Sequence, residues 1–90
     1  MAIAALKIKI MPDSPEVSLE DIKLKVEETA KELGVTIHST EIEPVAFGLK
    51  ALMVIFVWPE EKEQESIESK LREIPNVQSV QVVDYRRAIG

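Results

Sequence analysis

The sequence contains no cysteine and a single histidine, His38. Without thiols the chain cannot form disulfide bonds, thiolate metal sites or a cysteine nucleophile. One imidazole cannot build a multi-histidine metal site or a histidine relay within a single chain. His38 also falls on a predicted edge strand with no nucleophile motif near it, so a structural role is favoured. These absences exclude several large classes of enzyme and metalloprotein.

Glycine is scarce, and the three glycines, Gly34, Gly48 and Gly90, stand singly, so no phosphate-cradling loop is present. None of the serines has a G-x-S-x-G context. Paired carboxylates could be drawn from the sixteen acidic residues. Most of these residues fall on predicted solvent faces of helices, however, where they are expected for solubility. We therefore expect neither a chemical step nor a bound cofactor.

An excess of positive charge and long apolar runs are also missing. Eleven basic residues against sixteen acidic ones give a net charge of −5, which argues against direct nucleic-acid binding. No apolar run approaches the roughly 20 residues of a membrane span, and no basic-then-apolar leader opens the chain. With 46% apolar and 30% charged residues, the composition predicts one globular domain over residues 1–90. We expect a soluble, cytoplasmic protein without membrane contact.

Hydrophobic periodicity predicts the first half of the chain as strand, helix and strand. Towards the end of residues 2–11, apolar residues alternate with lysine, which indicates a half-buried strand. A helix begins after Ser18, whose hydroxyl can cap the amide of Asp21, and ends at Gly34. Its apolar stripe has helical spacing and comprises Leu19, Ile22, Val26, Ala30 and Leu33. Residues 35–44 are polar on both faces, which is typical of an edge strand.

The second half begins with the most apolar stretch, residues 49–58, which predicts a central strand covered at least in part on both faces. Its two faces carry Leu52, Val54, Phe56 and Trp58 on one side and Ala51, Met53, Ile55 and Val57 on the other. Only one of these sets can face the helices. The other set is either a binding or dimer face, or it is partly covered by neighbouring side chains.

A second helix and a last strand complete the pattern. The helix begins in the glutamate-rich residues 60–65 and is broken at Pro75. The strand runs from Val77 to Tyr85. We predict two faces for it, with Val80 and Val82 on one, and Gln81, Val83 and Tyr85 on the other.

The predicted order β-α-β-β-α-β indicates an α+β, ferredoxin-like fold. Two split β-α-β units give a four-stranded antiparallel sheet, order 4-1-3-2, with both helices on one face. RNA-recognition domains share this fold but stack bases on aromatics in strands one and three. The first strand here has no aromatic, and the third lacks the basic-glycine-aromatic signature. A non-catalytic, small-molecule-binding regulatory domain remains the alternative to a protein-binding function.

Two local features stand out, the apolar turn at Phe47-Gly48 and the pair Arg86-Arg87. Turns are usually polar, so Phe47 either folds back onto the core or is presented to a partner. In a 4-1-3-2 sheet the last strand is parallel to the third. The two features then lie at opposite ends of the sheet, about 30 Å apart for strands of this length.

The stretch from Glu43 to Leu52, EPVAFGLKAL, is followed later by Val77-Gln78-Ser79-Val80 and by a terminal Val-Asp-Tyr-Arg-Arg. Together these motifs resemble the archaeal-type elongation factor 1-beta family over essentially the whole chain. The resemblance implies a ferredoxin-like fold and guanine-nucleotide exchange on elongation factor 1-alpha. That partner is the GTPase that delivers aminoacyl-tRNA to the ribosome.

The resemblance also implies roles for particular residues. In the family, the aromatic of the A-F-G turn packs against the partner, and a basic residue near the C-terminus is directed at the partner's magnesium and phosphate site. By position, the second role falls on Arg87, with Arg86 beside it. The residues expected to bind the partner are Ala46, Phe47, Gly48, Lys50, Arg86 and Arg87.

Overall fold

The computed structural model describes residues 2–87. Its strands are β1 (Ile3–Pro12), β2 (Thr36–Pro44), β3 (Lys50–Pro59) and β4 (Val77–Arg87), and its helices are α1 (Leu19–Leu33) and α2 (Gln64–Arg72). The strands form one antiparallel sheet in the order β2-β3-β1-β4, which is the predicted 4-1-3-2 arrangement seen from the other edge. The ferredoxin-like fold is therefore confirmed.

The ends of α1 follow from its capping residues. The amide of Asp21 donates a hydrogen bond of 3.4 Å to the Ser18 hydroxyl. At the other end Gly34 has φ 71°, and the amide of Val35 donates to the carbonyl of Ala30 at 2.9 Å. Val35 was expected to begin the second strand, but it completes this helix cap and is buried, so β2 begins one residue later. No helix in residues 2–87 is both long and apolar enough to cross a membrane.

A single hydrophobic core lies between the helices and one face of the sheet. β3 contributes its even-numbered side chains to this core, and Phe56 and Trp58 are fully buried. The Trp58 indole nitrogen donates to the Lys62 carbonyl at 2.9 Å, which satisfies its polar group and ties the segment after β3 to the core. The main members of the core are Leu6, Ile8, Ile10, Ile22, Val26, Ala30, Leu52, Val54, Phe56, Trp58, Ile67, Leu71 and Val80.

The other face of β3 is covered in part by its neighbours. Ala51 and Met53 are buried although no helix lies over them, and Ile55 is half-buried. In the register of the sheet, Lys9 lies opposite Met53 and Lys7 lies opposite Ile55. Both lysines are themselves half-buried, since their methylene stems can lie along apolar surface while the ammonium groups stay in water. The structure thus matches the second of the two alternatives for this face.

The predicted faces of β4 are wrong for Tyr85. Ile8 pairs with Val82 whereas Lys7 pairs with Asp84, so Val83 is an extra residue that forms a β-bulge. After the bulge, Tyr85 lies on the helix side of the sheet and packs against the core. A strict period of two does not reveal such an insertion, because a bulge is a property of the pairing between two strands.

The bulge also decides where the two arginines lie. β4 continues to Arg87, two residues beyond the predicted end at Tyr85. Arg87 pairs with Ala4, which faces the helices, whereas Arg86 pairs with Ala5 on the open face. The two neighbouring arginines therefore point to opposite sides of the sheet.

Candidate functional site

The β2–β3 hairpin closes through a tight turn at residues 46–48. The amide of Leu49 donates to the carbonyl of Ala46 at 3.3 Å, and the amide of Val45 donates to the carbonyl of Leu49 at 2.7 Å. Phe47 has φ 62° and ψ 32°, and Gly48 has φ 76°. Two central residues with positive φ match the twist of antiparallel strands, which is why hairpins favour such turns.

Phe47 is an unusual residue for this conformation. The first central position normally holds Asn, Asp or Gly, because a larger side chain in the left-handed region costs about 1–2 kcal/mol. Phe47 gains no packing in return, since its side chain is 94% exposed. The structure therefore excludes Phe47 as a core anchor. A strained, exposed aromatic at a loop tip has the features of a residue kept for binding.

The other predicted turn residues surround Phe47. Ala46, Gly48 and Lys50 are all exposed. A cleft of about 180 Å³ lies beside Gly48 and Lys50, and its opposite wall runs from the end of β1 to the start of α1. The residues of that wall are Pro12, Ser14, Pro15, Val17 and Leu19. The turn thus offers an aromatic side chain, a cation and a small, partly apolar cleft at one end of the sheet.

Ile42 adds apolar surface to the same hairpin and was not among the predicted partner-binding residues. It lies opposite Leu52 in the register, yet it is 55% exposed, whereas Leu52 is buried. The available signal was an isoleucine among the polar residues Thr40, Glu41 and Glu43.

Arg86 and Arg87 lie at the far end of the sheet from the turn. Arg87 pairs with Ala4, and the same end of β1 pairs with the last residues of β3. The Arg87 Nε atom lies 2.6 Å from Oε1 of Glu60, and the Arg87 side chain is 81% exposed. Arg86 is as exposed, and its Nε lies 3.0 Å from Oδ2 of Asp84. The structure therefore groups the turn residues together but separates them from the arginines.

Metal and small-molecule sites receive little support from the geometry. Within residues 2–87, no group of three or more His, Cys, Asp or Glu side chains could hold a metal ion. A cleft of about 750 Å³ lies between the start of α1 and the segment after α2. Its walls include the exposed residues Glu16, Lys25 and Glu28, which indicates an ordinary surface depression.

The sequence profile of the EF-1 guanine nucleotide exchange domain matches residues 5–88. The chain belongs to this family. Its function is therefore guanine-nucleotide exchange, and both the predicted family and the predicted activity are confirmed. An exchange domain acts on a GTPase, so the existence of a GTPase partner follows from the family. The assignment of particular residues to the partner contact stays a prediction.

Individual relatives agree with this EF-1 exchange-domain membership. Elongation factor 1-beta of Methanocaldococcus jannaschii is 44% identical over 90 residues, covering 98% of this chain and all of the relative. The protein of the same name from Methanococcoides burtonii is 41% identical over 90 residues, covering 99% of this chain and all of the relative. The expected likeness to archaeal members is thus confirmed.

A solved structure supports the fold alone. The C-terminal domain of the MgtC protein from Mycobacterium tuberculosis superposes with a TM-score of 0.68, covering 96% of this chain and 88% of that one. Its sequence is only 9% identical, so the likeness carries no argument about function.

Proposed function

We propose that residues 1–90 act as one exchange domain that promotes GDP release from elongation factor 1-alpha so that GTP can rebind. Membership of the EF-1 exchange-domain family supports the reaction, and relatives named elongation factor 1-beta support the choice of GTPase. The observation that carries the surface assignment is the strained and almost fully exposed Phe47. The protein performs no chemical step of its own, and it acts in the cytoplasm, where translation elongation takes place.

Exchange follows from differential binding. A factor that binds the nucleotide-free GTPase more tightly than the GDP form must weaken GDP binding by the same ratio. Phe47 supplies affinity in this scheme. An aromatic ring that enters an apolar pocket buries about 150–250 Å². Such rings are frequent among the few residues that dominate binding energy. Ala46, Gly48 and Lys50 border the ring and complete the contact.

Arg87 supplies the destabilising contact at the other end of the sheet, with Arg86 beside it. GDP is held in a GTPase largely through its phosphates and an associated magnesium ion. A guanidinium keeps its charge at any physiological pH and offers a planar fork of donors that suits phosphate oxygens. Bringing this group to the phosphate site repels and displaces the magnesium ion, and because one guanidinium charge replaces a divalent ion, GDP is held less tightly.

The distance between the two contacts limits the shape of the complex. The described chain is 41 Å long in its longest dimension. The turn and the arginines are separated by the length of β3, about 30 Å for ten residues. One partner must therefore contact the exchange domain at two widely separated points.

The proposal is tested by measuring the release of fluorescent GDP from elongation factor 1-alpha with and without this protein. We expect micromolar protein to accelerate release at least tenfold, which corresponds to a barrier lowered by about 1.4 kcal/mol or more. Release from an unrelated GTPase is the control and should stay at its intrinsic rate. An unchanged rate with elongation factor 1-alpha would contradict the proposal.

A further inference from the structure

Glu60, directly after β3, has an unusual environment for a carboxylate near a loop. Its side chain is only 22% exposed, and Oε1 is inaccessible to solvent. That oxygen has no well-aligned hydrogen bond within residues 2–87, although Arg87 Nε lies 2.6 Å away. The contact is therefore a close ion pair rather than a linear hydrogen bond. A carboxylate that has lost water needs such a cation to offset its desolvation.

Both members of this ion pair have fixed backbones. The Glu60 amide donates to the carbonyl of Ala2 at 3.1 Å, and Arg87 is paired with Ala4 in the sheet. The ends of β3 and β4, which flank the start of β1, thus hold the partners close together. An ordinary surface ion pair loses most of its benefit because two long side chains must be ordered. That loss is smaller here because Glu60 is already largely buried.

The bulge at Val83 is what allows the contact. Without it, strict alternation from Val82 would place Arg86 on the helix side and Arg87 on the open face.

We infer that Glu60 is a positioning residue for Arg87, an inference that rests on the exchange role proposed for Arg87. Glu60 contacts the guanidinium at Nε, which carries one of its five N–H donors. The other four donors belong to the two terminal amino groups. Because the Arg87 side chain is 81% exposed, much of the guanidinium stays accessible to solvent. Glu60 thereby holds the guanidinium at one side while leaving it accessible to a phosphate oxygen.

An inhibitory role for Glu60 would require a different geometry. A carboxylate that restrained the arginine would cover the terminal amino groups in a two-pronged contact, since that contact also serves phosphate. The large exposure of Arg87 and the contact through Nε favour positioning instead. The two roles predict opposite changes in exchange rate when the carboxylate is removed.

The test compares Glu60→Gln with Glu61→Gln, which removes an exposed carboxylate one residue further on. We expect Glu60→Gln to lower the maximal rate of GDP release from elongation factor 1-alpha by about three- to tenfold. The protein concentration giving half-maximal release should change by less than about twofold, because the Phe47 contact is untouched. Glu61→Gln should leave both quantities unchanged. In an Arg87→Ala background, Glu60→Gln should have no further effect.

A second readout needs no GTPase. The chain has three arginines, and the NMR chemical shift of the Arg87 Nε–H should be displaced by the carboxylate beside it. In Glu60→Gln that signal should move to the position of an unpaired arginine, while Glu61→Gln leaves it in place. A rate for Glu60→Gln equal to or above the wild-type rate overturns positioning. If the wild-type protein itself fails to accelerate release, the proposed function fails and positioning fails with it. The NMR signal then still shows whether the contact exists.

Discussion

Phe47 combines two unfavourable properties that are normally avoided in a small domain. Its backbone lies in the left-handed region, and its ring is almost entirely in water. The strained backbone lowers the stability of the isolated protein, and the exposed ring adds nothing to it. Their combination in one residue is explained if the ring is buried in a complex, where the binding energy offsets the strain.

Replacing Phe47 should therefore raise the stability of the isolated protein and weaken its binding to the partner. Phe47→Asn introduces a residue that tolerates positive φ, so we expect the free energy of unfolding to rise by about 1 kcal/mol. In a domain of this size that corresponds to roughly 4–8 °C in Tm. Binding to elongation factor 1-alpha should weaken at least tenfold, or about 1.4 kcal/mol. Calorimetry measures the first effect, and titration with the nucleotide-free GTPase measures the second.

Leu24→Ala is the matched control for the loss of exposed apolar surface. Leu24 lies on α1, is 58% exposed and has a helical backbone. Its replacement should change neither Tm nor binding appreciably. A lower Tm for Phe47→Asn than for the wild type would show that the ring supports the fold, contrary to its exposure.

At the level of whole elements, β4 shows how one inserted residue redirects a strand. Val80 and Val82 are two residues apart, but the next side chain on the helix side is Tyr85, three residues further on. The bulge absorbs the extra residue and keeps Tyr85 in the core. By the same change of face, the bulge places Arg87 beside Glu60.

Two single-residue deletions in β4 should have different consequences. Deleting Val83, which is 42% exposed, converts the bulge into a regular ladder and keeps Tyr85 and Arg87 on the helix side. We expect this variant to keep its stability within about 1 kcal/mol and to retain exchange. Deleting Arg86 moves Arg87 to the open face, because each step along a strand changes the face. Exchange should then fall by about tenfold or more, measured as GDP release.

Arg86→Ala is the control for the second deletion, because it removes the same side chain without changing the face of Arg87. It should lose less activity than the deletion does. Equal losses in the two variants would mean that the side chain of Arg86, and not the face of Arg87, determines exchange.

In the proposed complex, the sheet acts as a spacer between two contacts of different kind. The turn at the start of β3 presents an exposed aromatic ring, and the end of β4 presents positive charge. The sheet between them is built on two central strands, β1 and β3, whose inner faces are buried. A rigid spacer fixes the distance at which the two contacts meet the partner.

Because the two contacts are far apart and share no neighbours, their effects should add. Phe47→Ala should mainly raise the concentration needed for half-maximal exchange, whereas Arg87→Ala should mainly lower the maximal rate of GDP release. In the double variant, the free-energy changes should sum to within about 0.5 kcal/mol. Exchange titrations of the four proteins provide both quantities.

Arg72→Ala is the control for general loss of positive charge, since Arg72 is exposed at the end of α2. Its exchange parameters should equal those of the wild type. Strong non-additivity of Phe47→Ala and Arg87→Ala would show that the two ends are coupled and would contradict a rigid spacer.

Much of the candidate site could be named from the sequence, as could the separation of the turn from the arginines, but the faces on which the side chains lie could not. The apolar Phe47-Gly48 turn and the Arg86-Arg87 pair are visible as departures from ordinary composition. Glu60 was not visible, because it lies in a glutamate-rich segment where every residue resembles a solvated helix start. Its burial depends on the ends of three strands meeting, which no local pattern records.

The order of elements, the ends of α1 and the central position of β3 could all be predicted from the sequence. These depend on local causes, namely a serine cap, a glycine with positive φ and a continuous apolar run. The exposure of Phe47 and the orientation of Tyr85 and Arg87 towards the helices became known from the three-dimensional packing. Those outcomes depend on strand register and on what covers each face, which are set by contacts between residues distant in the chain.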